Sequence, residues 1–230
     1  MRQIVLDTET TGLDPKQGHR VIEIGAVELI NRRVTGKTFH CYINPEREVE
    51  ADALSIHNIS NEFLKDKPLF ASVSAEFFEF IRSDELIIHN APFDLGFLDA
   101  EIKRIDPKFK AIKSQCAIID TLVLARKFHP GLKNNLDALC KRYEINNTHR
   151  EWHGALLDAE ILARVYLAMT GGQGSLFGEG FDVEKPKTAQ TVFNANQKKR
   201  EVLPVLMAND EELTAHDAFL EKMKKHFWEC

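Results

Sequence analysis

The stretch Val5-Leu6-Asp7-Thr8-Glu9-Thr10-Thr11-Gly12 decides how the rest of the chain reads: an apolar run ends in two carboxylates, followed by small residues and a glycine. Side chains alternate along a strand, so Asp7 and Glu9 project from one face of its end. Like charges held that close call for a cation. Hard carboxylate oxygens suit Mg²⁺ or Mn²⁺ better than zinc, which favours His and Cys. The plain alternative is an acidic turn closing an edge strand. Against it stand Thr8, Thr10, Thr11 and Gly12, which leave the backbone approachable, and the acid and histidine motifs further along.

Outward from this strand (3–8), residues 21–30 and 37–43 read as two more strands joined by the polar turn Asn31 to Gly36, an antiparallel start to a sheet. Ser60 with Glu62 and Phe63 opens a short helix, and Val73, Phe77, Phe78 and Ile81 place an amphipathic helix over 73–82. Leu86-Ile87-Ile88 is a short buried strand running into His89-Asn90-Ala91-Pro92-Phe93-Asp94, where Pro92 suits the first turn of a helix that carries Phe97, Leu98 and Ile102 inward. A strand at 117–120 is followed by helices at 121–129 and 136–143, the latter capped by Asn134 or Asn135. A helix over 155–169 has an apolar stripe and stops at Gly171-Gly172. Three strands and then alternating helix and strand predict an α/β, ribonuclease-H-like fold: a mixed sheet flanked by helices.

The composition is that of an ordinary globular chain: of 230 residues, 43% are hydrophobic and 28% charged. No apolar run is long enough to span a bilayer and the first residues lead straight into a strand, which predicts a cytoplasmic protein. Cys41, Cys116, Cys140 and Cys230 form no C-x-x-C pair, which argues against a zinc ribbon or redox motif. A formal charge of −5 counts against nucleic-acid binding, unless bound metal reverses the field locally. Residues 173–200 lack periodicity and read as a flexible linker after a domain at 1–172; within 201–230, a helix at about 209–227 offers Leu213, Phe219, Leu220, Met223 and Phe227 on one face. Such a helix has no core of its own and either packs back or docks on a partner.

Two more motifs complete the pattern. Asp94 opens a helix behind a buried strand, and His153 precedes Asp158 in Trp152-His153-Gly154-Ala155-Leu156-Leu157-Asp158. Alone, Asp94 reads as a capping carboxylate and His153 as a surface imidazole. Together with the first motif, in this order and spacing, they resemble the DEDDh family of 3′→5′ exonucleases, and within it the proofreading epsilon subunits of bacterial DNA polymerase III. Val21-Ile22-Glu23-Ile24-Gly25-Ala26, Ile56-His57-Asn58-Ile59, Asp66-Lys67-Pro68 and Asn135-Leu136-Asp137-Ala138-Leu139-Cys140 carry the same likeness.

The resemblance implies that Asp7, Glu9, Asp94 and Asp158 hold two divalent cations, Mg²⁺ or Mn²⁺, and that His153 is the general base. It makes Thr10, Gly12, Leu13, Asp52, Ile56, His57 and Asn90, beside Asp7, Glu9 and Asp158, candidates for holding the terminal nucleotide. Asp52 reads equally well as a helix-start carboxylate. Gln173-Gly174-Ser175-Leu176-Phe177 resembles the sliding-clamp-binding pentapeptide, with Gln173, Ser175, Leu176 and Phe177 as its contacts and Gly174 as its departure from the commonest form. The implied partners are a DNA 3′ end, single-stranded or frayed, the sliding clamp, the polymerase catalytic (alpha) subunit through the C-terminal segment, and a small accessory subunit as an open question. The function so implied is release of 5′-mononucleotides from DNA. A stand-alone RNA or repair exonuclease and a non-catalytic replisome adaptor remain the alternatives.

Overall fold

The computed structural model describes residues 1–171, apart from Ser83, His149 and Glu151, and residues 209–227, with side chains to residue 220 in that last segment. The chain divides into two units, Met1–Gly178 and Glu179–Cys230. The first is built on a sheet whose central strand is the decisive stretch itself. β1 (Arg2–Thr10) lies between β2 (Val21–Ile30), antiparallel to it, and β4 (Glu85–Ile88), parallel to it; β3 (Arg33–Tyr42) and β5 (Ile118–Asp120) form the edges, giving the order β3-β2-β1-β4-β5.

β3 begins earlier than expected. The segment Asn31 to Gly36 is not one turn: Asn31 and Arg32, at φ 50° and 65°, make a two-residue hairpin, and Gly36, at φ 82°, lies in an irregularity of β3 opposite the register shift between Val27 and Leu29. Arg32 tolerates its turn position because its guanidinium is tied down, donating to the Leu167 carbonyl at 3.0 Å and to Thr170 Oγ1 at 2.9 Å.

Alternation along β1 splits the core in two. Ile4 and Leu6 face α3 (Phe70–Ile81) and α4 (Ala91–Ile105), packing with Phe77, Ile81, Phe97, Leu98 and Ile102. Val5 faces the other way, toward α5 (Thr121–Phe128), α6 (Leu136–Arg142) and α7 (Ala155–Thr170), with Leu139, Leu162 and Val165. Each such fully buried side chain contributes about 1.5–3 kcal/mol. α6 starts on Asn135, whose Oδ1 accepts from the Ala138 N–H, and not on Asn134.

Gly25 pairs with Asp7 across β1 and β2. A Cβ there would lie 2.1 Å from the Leu156 nitrogen and 2.2 Å from the Ala155 carbonyl carbon, so only glycine lets the start of α7 rest on the sheet at this point. Two further elements differ in extent from the sequence reading. α1 (Ala51–His57) follows there only from Asp52 as a helix-start carboxylate: among its residues only His57 is buried, so it carries no apolar stripe. α3 starts at Phe70 instead of Val73, directly after Pro68 and Leu69. The short helix after Ser60 is α2 (Asn61–Leu64), with Ser60 Oγ accepting from the Phe63 N–H at 3.2 Å.

In the second unit, α8 (Asp210–Phe227) opens with a reciprocal cap: Asn209 Oδ1 accepts from the Glu212 N–H at 2.8 Å, and Glu212 Oε2 accepts from the Asn209 N–H at 3.0 Å. No helix among the described residues is long and apolar enough to cross a membrane.

Candidate active site

The end of β1 delivers Asp7 and Glu9 to one cleft of about 260 Å³, as their spacing predicts. Asp94 enters it from the first turn of α4, and Asp158 from the first turn of α7. All four carboxylates and His153 line this cleft, together with Thr8, His89, Phe93, Asn135, Leu136, Asp137 and Arg150. Glu9, His153 and Asp158 each bring a ligating atom within 4.8 Å of the others. Thr8, on the opposite face of β1, donates to Asp94 Oδ1 at 2.7 Å and so fixes the α4 carboxylate against the strand.

The electrostatics show what the cluster needs. Burial pushes Asp7 well above the usual carboxylate range, and the nearby charges of Asp94, Glu9 and Asp158 push further the same way. Burial with the charges of Asp158 and Glu23 raises Glu9 to about 8. Burial raises Asp94 to about 7 against the opposing hydrogen bond from Thr8. Asp158 is the exception. Its burial also acts upward, yet the Arg150 guanidinium outweighs it and holds the carboxyl below the ordinary value. Clustered oxygen donors that resist ionisation through burial and the mutual repulsion of their charges fit a hard divalent cation. Asp7, Glu9, Asp94 and Asp158 could hold such ions.

His153 sits on the loop before α7, half-exposed, with its backbone N–H donating to the Ile56 carbonyl at 3.2 Å. Its Nδ1 is approached by Arg150 Nη2 at 2.8 Å and by Asp158 Oδ2 at 3.3 Å. The nitrogen cannot accept from one and donate to the other at once. The shorter contact makes it an acceptor, which leaves the proton of the neutral ring on Nε2.

Of the residues expected around a terminal nucleotide, most lie beside the cleft rather than in it. Thr10 is buried, its hydroxyl donating to the Gly12 carbonyl at 2.7 Å. A Cβ on Gly12 would come within 2.4 Å of the His19 ring, which itself lies 3.1 Å from Thr11 Oγ1. Leu13 is 81% exposed and free to meet an apolar face. His57 is buried and accepts from the Ile59 N–H at 3.0 Å, while its Nε2 has no hydrogen-bond partner among the described residues. Asn90 takes the left-handed conformation, φ 65°, as the residue before α4. Asp52 stands exposed in the first turn of α1, outside the cleft lining. Gln173, Ser175, Leu176 and Phe177 lie outside the described residues.

The sequence reading missed Arg150, Asp137 and Glu23. Glu23 stands opposite Glu9 on β2, buried, with Oε1 2.7 Å from His40 Nε2 and Oε2 without a partner among the described residues. Asp137 and Arg150 are an ordinary helix-start acid and a loop cation in the sequence. Nothing marks them out but the chain of contacts by which Asp137 holds Arg150 and Arg150 grips Asp158.

These features agree with what the chain is similar to. The profile of the family described as "Exonuclease" (RNase_T) matches residues 4–166. The DNA polymerase III subunit epsilon of Escherichia coli K12 is 49% identical over 237 residues, covering 100% of this chain and 96% of that protein. Its counterpart in Rickettsia typhi is 49% identical over 230 residues, covering 97% of each. Among solved structures, exonuclease X in complex with 5′ overhanging duplex DNA superposes with a TM-score of 0.57 at 27% identity, over 74% of this chain and 91% of that one. The nuclease domain of 3′hExo, a DEDDh family member bound to rAMP, shares the fold with a TM-score of 0.62 at 18% identity, over 73% and 90% of the two chains. On this sequence profile, this full-length identity and this arrangement of acids, the chain belongs to the DEDDh exonuclease family, a divalent-metal-dependent group of 3′→5′ exonucleases, among the DNA polymerase III epsilon subunits.

Proposed function

We propose that this protein removes nucleotides from DNA 3′ ends as 5′-monophosphates, as the proofreading subunit of a replicative polymerase, with Asp7, Glu9, Asp94 and Asp158 holding two divalent ions, Mg²⁺ or Mn²⁺, and His153 as general base. One observation carries this reading: four carboxylates from three separate segments, with His153, converge on one cleft. Divalent ions bound there would acidify an attacking water and neutralise the leaving 3′ oxygen of an in-line hydrolysis. The chain's own contribution is to place and discharge. β1 holds Asp7 and Glu9 in a fixed relation, Thr8 steadies Asp94, and α7 brings Asp158 across. His153 takes the proton of the attacking water. Asp7 and Glu9 line the cleft while Leu13 stands exposed just beyond the end of the same strand, where an apolar side chain can meet the last base of an unpaired strand end. A mispaired terminus frays more readily and so reaches the cleft more often, without its base being read.

Of the partners, the DNA 3′ end follows from this chemistry, and membership of a polymerase III assembly from the relatives' names. The pentapeptide Gln173 to Phe177 supports a sliding-clamp contact, and α8 with its apolar positions Leu213, Phe219 and Leu220 supports docking on the polymerase catalytic subunit. Two weak attachments on one segment act through effective concentration. A cytoplasmic location with the replisome goes with these partners. The test is digestion of a 5′-labelled primer, matched or mismatched at its 3′ end, in Mg²⁺, beside an Asp7→Ala control. The expected result is a 3′→5′ ladder, faster on the mismatch and absent in the control; an intact mismatched primer would overturn the reading.

A further inference from the structure

The cation that the structure does place among the carboxylates is Arg150. Its side chain is 6% exposed, on the loop between α6 and α7. Nε donates to Asp158 Oδ1 and Nη2 to Asp158 Oδ2 at 2.6 Å, a two-pronged grip on both oxygens of the one carboxylate that is held ionised. Nη2 also reaches His153 Nδ1 at 2.8 Å, and Nη1 is tethered to Asp137 Oδ1 at 2.7 Å. Asp137 in turn accepts from Asn147 Nδ2 at 3.1 Å and is itself half-exposed.

We propose that Arg150 is the counter-ion a divalent cation must displace from Asp158, and that the displaced guanidinium, still anchored on Asp137, turns to a phosphate oxygen of the nucleotide, so that ion and substrate bind cooperatively. The inference rests on the ion-holding role proposed above for Asp7, Glu9, Asp94 and Asp158. Donor balance drives it. Once Asp158 turns to the ions, Nε and Nη2 lose both oxygens they gripped while Nη1 keeps Asp137, and a phosphate of the substrate offers those two donors new oxygens. A guanidinium suits that acceptor because its planar fork fits phosphate as well as carboxylate. The same departure frees His153 Nδ1, so the base is released only as the ions arrive.

The experiment is Mn²⁺ binding to the full-length protein, read from the resonance of free Mn²⁺, with and without thymidine 5′-monophosphate. In the native chain the nucleotide is expected to tighten Mn²⁺ binding by at least about fivefold, and Mn²⁺ to tighten the nucleotide by the same factor. In Arg150→Gln, Mn²⁺ alone is expected to bind several-fold tighter than to the native chain, with the nucleotide's effect reduced to what direct contact of ion and phosphate supplies. Asp137→Asn, which keeps the arginine but loosens its anchor, is expected to move both quantities the same way by less; it serves as the deciding variant if Arg150→Gln does not give the native circular dichroism spectrum. Mn²⁺ binding that is unchanged or weaker in the deciding variant overturns the inference, as does an undiminished nucleotide effect. Asp7→Ala separates the two levels. If it binds Mn²⁺ like the native chain, the ion-holding role itself falls; if it loses Mn²⁺ while the Arg150 variant behaves natively, only the role of Arg150 falls.

Discussion

The two walls of the cleft carry the same residue types and opposite electrostatics. On the strand wall, the half-buried Asp7 and Glu9 and, from α4, the buried Asp94 are pushed upward, Glu9 to about 8 and Asp94 to about 7. On the helix wall, Asp158 is buried too, yet it is held below the usual range because Arg150 grips it. Burial alone therefore does not set the state of a carboxylate. What decides is whether a cation stands within hydrogen-bonding reach. One wall waits for its counter-charge and the other has one to give up.

The strongest way to break the contrast is to remove a carboxylate from either wall. Asp7→Asn and Asp158→Asn are each expected to cut exonuclease turnover by about 10³-fold or more, roughly 4 kcal/mol of transition-state stabilisation, in a primer-digestion assay under saturating Mg²⁺. Equal losses from the two walls would show that their different resting states vanish in the working enzyme. His153→Ala is expected to cost about 10²- to 10⁴-fold in kcat, the range of a general base. Native turnover would remove that residue from the chemistry.

The walls also predict opposite responses to pH, measured as thermal stability in EDTA. Glu9 and Asp94 have folded values above their unfolded ones of 4.5 and 3.8, so each contribution is fully present below its unfolded value and is lost as pH rises toward 8 and 7 respectively. Asp158 has the reverse sign: its contribution is present above the unfolded aspartate value and is lost as pH falls through the depressed folded one. The native chain in EDTA is therefore expected to melt several degrees lower at pH 8 than at pH 5.5, and added Mg²⁺ to restore most at pH 8. A flat profile would mean that the strand wall does not hold protons. The smallest effect belongs to Leu13→Ala, where loss of an exposed apolar contact is expected to raise KM for a single-stranded substrate less than tenfold and leave kcat unchanged.

Much of this arrangement was legible before any coordinates. Asp7 and Glu9 are adjacent on a strand face by the two-residue period alone, and the helix positions of Asp94 and Asp158 follow from Pro92 and from the apolar stripe of α7. The sheet's antiparallel start was legible for the same reason. What escaped was whatever depends on three dimensions without leaving a period. Arg150 is one of many loop cations until α6 and α7 bring Asp137 and Asp158 around it. Glu23 looks like a polar position on a strand until its neighbours prove to be Glu9 and His40. α1 has no apolar stripe to announce it, and Gly36 signals a turn but lies within β3. The place of Asp52, exposed on α1, leaves its proposed substrate contact without support from the cleft geometry.

Gly25 has a further consequence. It bears no functional atom, yet the missing Cβ is what lets the backbone of α7 sit on β2 directly beside the partner position of Asp7. The gap between the two sets of acids is thus gauged by a hydrogen atom. A methyl group at this position would act as a shim, prising Asp158 away from Asp7 while every charge in the cleft stayed the same, and would convert a question about chemistry into one about tolerance of fit.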